Sequence, residues 1–117
     1  MNIDSLAIFS ALSNEIRLRS LMLLQLEGEL CVCELTHALG VSQPMISRHL
    51  ALLRETGLVT VRRAGQWIYY TINPRLDDWV KQILEGTACA NCKQSPFSED
   101  LATLASMPNR PDSACCA

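Results

Sequence analysis

Three observations predict a mainly helical domain carrying one β-hairpin. The composition is aliphatic and poor in aromatics, helix-length apolar stripes are punctuated by Gly28, Gly40 and Gly57, and two β-prone runs follow the last of these glycines. With 117 residues and 49% hydrophobic content, the chain can close one compact core but is short for two ordinary domains. Aromatics at 5% leave Leu, Ile, Val, Met and Ala to build that core, so helix is the expected majority state.

Ser5 to Leu12 places Leu6, Phe9 and Leu12 at helical spacing. Ser13, followed by Glu15 and Ile16, reads as the N-cap of a second helix that runs to about Leu26 and stops at Gly28. A short third helix, roughly Val32 to Leu39, carries Val32, Leu35 and Leu39 on one stripe. Gly40 follows it at the position where a left-handed backbone is cheap. Ser42 then caps a fourth helix, with Pro44 in its first turn, where a missing N–H costs nothing. Its apolar stripe is Ile46, Leu50 and Leu53, and Gly57 ends it. Leu58 to Arg62 and Gln66 to Ile72, joined by "RAG", have the branched and aromatic content of a hairpin. Pro74 opens a fifth helix to about Glu85, whose broad apolar face holds Leu76, Trp79, Val80, Ile83 and Leu84. The order ααα-α-ββ-α is that of a winged helix-turn-helix. We read residues 1–86 as the DNA-binding and dimerisation domain and 87–117 as a Cys-containing tail, partly disordered, with a short helix around Ser98 to Ala105.

The formal net charge of -2 speaks against a general positive field for nucleic acid, but it conceals a local excess. Between Ser42 and Gln66 stand Arg48, Arg54, Arg62 and Arg63 against the single acid Glu55. A polyanion would meet that segment. Arg48 lies about 160° from the centre of the fourth helix's apolar stripe at 100° per residue, so it faces outward. Ser42, Gln43 and Ser47, at the helix N-terminus, suit base edges and phosphates, because that end also offers unpaired backbone N–H groups. Arg62 and Arg63, at the hairpin tip, suit the minor groove or the phosphate backbone. His49 falls near the edge of the apolar stripe and reads as a hydrogen-bonded core residue before a base contact.

The N-terminus lacks the pattern of a signal peptide, and the longest strongly apolar run, Leu21 to Leu24, is far short of a membrane span; a cytoplasmic location is expected. There, six cysteines point to metal binding or redox sensing before a disulfide framework. In "ELCVCEL", Cys31 and Cys33 are i and i+2. These positions diverge by about 200° on an ideal helix but share a side in extended chain. Joint binding of one ion therefore requires non-helical backbone at the start of the third helix. Packing is the alternative; on the wheel Cys31 lies about 70° from the Val32/Leu35/Leu39 stripe and Cys33 about 130°, so Cys33 is a poor core residue. Cys89 and Cys92 form a CxxC, a frequent half-site for zinc or a thiol couple, and Cys115 and Cys116 close the chain.

The segments "ELCVCEL" and "LGVSQPMISRHLALLRETGLV", with the aromatic run after them, resemble the ArsR/SmtB family of bacterial metalloregulatory repressors, in particular its arsenic-sensing branch, from about Ser10 to Trp79. The resemblance implies a homodimer on an operator near its own resistance genes, leaving the DNA when As(III) or Sb(III) binds Cys31 and Cys33. We expect pairing through the first and last helices, whose apolar faces exceed what one chain can cover. Many arsenic-type members carry a third cysteine where this chain has Thr36, so Cys89, Cys92, Cys115 and Cys116 are candidates for a third ligand. With those sulfurs the site would also suit Cd, Pb or Bi, the alternative reading. Zinc-type members place His and Asp ligands on the C-terminal helix, and no histidine follows His49. No organic cofactor is expected. No general acid or base accompanies the cysteines, since His37 and His49 both fall within the DNA-reading unit; an enzyme is disfavoured.

Overall fold

The computed structural model describes residues 4–108. The chain opens with α1 (Ser5–Leu12) and α2 (Glu15–Glu27), joined by a tight corner. The cap of α2 is Asn14 and not Ser13: the Asn14 side chain accepts the Arg17 N–H at 3.1 Å, while Ser13 closes α1. Both are good cap residues, and the local spacing does not choose between neighbours. Beyond Gly28 comes β1 (Glu29–Cys31), then α3 (Val32–Leu39) and α4 (Gln43–Glu55). Gly40 supplies the left-handed residue between them, at φ 69°, and its N–H bonds the Thr36 carbonyl. The Ser42 hydroxyl accepts the Met45 N–H, with Pro44 in the first turn, as the sequence implies.

The hairpin consists of β2 (Val59–Ala64) and β3 (Trp67–Ile72), and the turn lies at Gly65 and Gln66. Arg62 and Arg63 are thus inside β2, paired with Tyr69 and Ile68, and not at the tip. Strand β1 adds to the outer side of β3, giving the antiparallel order β1-β3-β2. Three residues are too few for a periodic signal, so this strand is made by pairing with β3 and is invisible in local pattern.

After β3 the chain does not enter a helix at Pro74. The Asn73 side chain, buried, donates to the Gly57 carbonyl and accepts from the Arg75 N–H, both at 2.9 Å, which holds a turn before α5 (Asp78–Asn91). Helix α5 continues through Gly86, past the expected end at Glu85, because the roughly 1 kcal/mol cost of one interior glycine is outweighed by burying Val80, Leu84 and Ala88. The last element, α6 (Phe97–Ala105), packs on α2 and α3. A bidentate ion pair holds it there: Asp100 accepts from Arg19 Nε at 2.9 Å and Nη2 at 2.7 Å. Leu21 to Leu24 of α2 run through the centre of the core, against Leu35, Leu50, Leu53, Leu84 and Leu104. No helix among the described residues is long and apolar enough to cross a membrane.

Candidate metal centre and nucleic-acid interface

The thiol pair sits at the joint between strand and helix. Cys31 is the last residue of β1, opposite Tyr69, and is also the N-cap of α3, with extended backbone at φ -89° and ψ 168°. Cys33 lies in the first turn of α3. One residue in extended geometry and the other in the first turn remove the divergence an ideal helix would impose, and the two Sγ atoms are 2.7 Å apart. Both cysteines are free thiols; Cys31 is buried and Cys33 half-buried. Buried Glu34 fixes the joint, its carboxylate accepting the Cys31 N–H at 2.9 Å. Burial, and then the contact with Cys33, pushes the Cys31 thiol well above its usual range, so at neutral pH Cys31 rests protonated.

A cleft of about 290 Å³ opens beside the pair. Cys31, Val32, Cys33 and Thr36 form one wall, Gln43 at the start of α4 another, and Gln66, Trp67 and Ile68 of the hairpin a third. The register explains the last wall: β1 ends opposite Tyr69, so the hairpin beyond that row overhangs the first turn of α3. Thr36, three residues after Cys33, donates its hydroxyl to the Cys33 carbonyl at 2.9 Å. Among the described residues no three His, Cys, Asp or Glu side chains are grouped to hold a metal ion, and those residues bring two sulfurs together at this joint. Cys89 is exposed on α5 and Cys92 caps that helix, 3.8 Å from the Cys89 carbonyl; the structure does not bring them to Cys31 and Cys33. Cys115 and Cys116 lie outside the described residues.

On α4, Ile46, Leu50 and Leu53 are fully buried, and Ser42, Gln43, Ser47 and Arg48 are exposed together on the opposite side. His49 is half-buried, with Nδ1 3.4 Å from Arg17 Nη1. Burial, then Arg17 and Arg48, lowers its pKa, which keeps the ring neutral. Arg63 is exposed on β2. Arg62 is engaged within the sheet, reaching Glu29 with Nε at 2.6 Å and Nη2 at 2.7 Å and lying 4.7 Å over the Tyr69 ring. The hairpin is thereby tied to the strand that delivers Cys31. Sequence reasoning missed this tie, the Trp67 wall and the Arg19–Asp100 pair. Each joins residues distant in the chain, and only the strand pairing could have exposed the first two.

Residues 14–61 match the family described as "Bacterial regulatory protein, arsR family". The arsenic resistance transcriptional regulator ArsR1 of Pseudomonas putida is 51% identical over 106 residues, 91% of this chain and 81% of that protein. The arsenical resistance operon repressor of Escherichia coli is 45% identical over 96 residues, 81% of this chain and 82% of that one. Among solved structures, HlyU from Vibrio cholerae superposes with TM-score 0.67 at 36% identity, covering 76% of this chain and 92% of that chain. The AntR antimony-specific transcriptional repressor gives 0.61 at 31% identity over 77% and 84% of the two chains. The homodimeric winged helix-turn-helix domain Mb0332 from Mycobacterium bovis gives 0.62 at 30% identity over 73% and 75%. With a winged helix-turn-helix, a polar exposed face on α4 and relatives this similar over about four-fifths of their length, the chain belongs to the arsR family of bacterial regulatory proteins.

Proposed function

We propose that this chain is a homodimeric repressor of an arsenic resistance operon, released from its operator when arsenite or antimonite binds the thiolates of Cys31 and Cys33. The observation that carries the reading is the position of those thiols, 2.7 Å apart at a joint whose backbone is already half extended. Trivalent arsenic and antimony are soft and choose sulfur over imidazole or carboxylate.

DNA binding belongs to α4, with Ser42, Gln43, Ser47 and Arg48 directed at the major groove, and to Arg63 on the hairpin. Arg62 acts in part through Glu29, setting the angle of the hairpin on the sheet. The homodimer forms through α1 and α5, where Leu6 is 77%, Phe9 53% and Trp79 39% exposed in a single chain. Two operator half-sites are then read by two α4 helices at a spacing the dimer fixes.

Induction follows from the location of the sulfurs. An ion held by both thiols fixes the β1–α3 joint, and the cleft beside it is walled by Gln43 of α4 and Trp67 of the hairpin. Both DNA-reading parts therefore border the inducer, and a shift at the joint changes their relative angle. A coupling of about 1–3 kcal/mol, the usual range, weakens operator binding some 5- to 150-fold. The test is fluorescence anisotropy of labelled operator with the protein, titrated with arsenite, antimonite, cadmium, lead, bismuth and zinc. Arsenite and antimonite should dissociate the complex at the lowest concentrations. Release by zinc alone would overturn the reading, and release by cadmium, lead or bismuth ahead of arsenite would transfer it to a sensor recruiting Cys89 and Cys92.

A further inference from the structure

We propose that Glu29 and Arg62 are positioning residues for induction: their ion pair carries a displacement of Cys31 into the hairpin, which makes the hairpin, ahead of α4, the DNA-reading part that the inducer moves. This rests on the reading that Cys31 and Cys33 bind the inducer, and it names the route from that site to the DNA.

Strand pairing lays out the route. Cys31 on β1 stands opposite Tyr69 on β3, and Tyr69 stands opposite Arg62 on β2, so the three form one row across the sheet. Side chains in such a row share a face, and Glu29, two residues before Cys31, shares it as well. On that face Arg62 lies 4.7 Å over the Tyr69 ring and reaches past β3 to Glu29, with Nε at 2.6 Å and Nη2 at 2.7 Å. The pair straps β2 directly to the strand that ends in Cys31. At the start of β1 the Thr71 hydroxyl adds a bond to the Gly28 carbonyl at 3.0 Å. A bidentate guanidinium–carboxylate contact fixes angle as well as distance, so β1 shifts at Cys31 only by turning β2 or by breaking the pair.

The far end of α3 is held in place. Arg19 of α2 bonds the Leu39 carbonyl at 3.4 Å, and Asp100 of α6 holds the same guanidinium at 2.7 Å. That end leads through Gly40 to α4. Its anchor is largely buried, whereas the Glu29–Arg62 pair is exposed enough to change at little cost to folding. A shift that starts at the thiols therefore reaches the hairpin before it reaches α4.

The experiment uses the full-length protein and measures operator affinity by anisotropy with and without saturating arsenite; the ratio of the two is the coupling. Glu29→Gln should cut that ratio by about threefold or more, within the range over which residues on a coupling route act. A general charge effect of Glu29 on DNA scales both affinities alike and leaves the ratio unmoved. Arg62→Gln breaks the same pair from the other side and should lower the ratio as well, which keeps the test decisive should Glu29→Gln fold poorly. Glu29→Arg with Arg62→Glu rebuilds the pair in reverse and should raise the ratio above that of either single variant. Arsenite binding to the free protein, followed by thiolate-to-arsenic absorbance, should persist in Glu29→Gln. Parental coupling in both single variants, no gain from the reversed pair, or loss of arsenite binding itself in Glu29→Gln overturns the inference while arsenite release of the parent preserves the reading beneath it. If arsenite fails to release the parent, the reading beneath has failed and the inference falls with it.

Discussion

Replacing Asp100 with alanine isolates what holds α6 over α3. Asp100 is 3% exposed and accepts two bonds from Arg19, whose guanidinium that hydrogen bond holds charged more firmly than usual. Removing one partner of a buried pair costs about 3–5 kcal/mol, because the other charge is left uncompensated. Here the lower end applies. Arg19 keeps Glu15 at 3.2 Å and the Leu39 carbonyl at 3.4 Å, and its side chain retains 14% exposure through which water can reach it. About 3 kcal/mol corresponds to a fall in Tm of roughly 10 °C for a domain of this size, measured by thermal denaturation at fixed protomer concentration. Hydrogen exchange should show the loss first in α6 and the facing turn of α3. Asp100→Asn, which retains one acceptor oxygen, should cost about half as much, and Arg19→Met with Asp100→Leu should recover most of the loss, since an apolar pair leaves no buried charge. A Tm within about 2 °C of the parent, with unchanged exchange in α6, would refute the role of this ion pair.

The remaining expectations concern DNA, dimer and pH. Arg48→Ala should reduce the slope of log affinity against log salt by about one phosphate contact, whereas Arg62→Ala should change it by less than half as much, because Glu29 already neutralises that guanidinium. Leu6→Glu with Phe9→Glu should give monomers by sedimentation at micromolar concentration and lower operator affinity by about 100-fold or more, as the second half-site is lost. His49 has a lowered pKa in the folded state, so the unfolded chain binds its proton first as pH falls. Stability should therefore decline as pH drops below about 6.5 and level off beneath the folded value, and His49→Gln should flatten that part of the profile.

Helices with strong stripes and caps were legible in the sequence: α3 at Val32–Leu39 and α4 with Ser42, Pro44 and Gly40 around it follow from local chemistry alone. What was hidden depends on pairing at a distance. β1 exists because Glu29 to Cys31 meets Thr71 to Tyr69, and the start of α5 is delayed because the Asn73 side chain bonds Gly57. The candidate site divides in the same way. The i, i+2 spacing of Cys31 and Cys33 already required a break from helix, and the structure supplies it as a strand–helix joint. The cleft could not be read, since Trp67 comes to the thiols only through the register of β3 on β1. The placement of Arg62 at the hairpin tip went wrong for a related reason: "RAG" looks like a complete turn, but β2 continues to Ala64 and the reversal falls on Gly65 and Gln66.

Release of labelled operator by arsenite, compared between the parent protein and Cys31→Ser with Cys33→Ser, tests the account most directly. Serine is close to cysteine in size and removes both soft donors. The double variant should bind operator with parental affinity and stay bound at arsenite concentrations that free the parent completely. Release of the double variant at the parental concentration would contradict the assignment of these two sulfurs as the sensor.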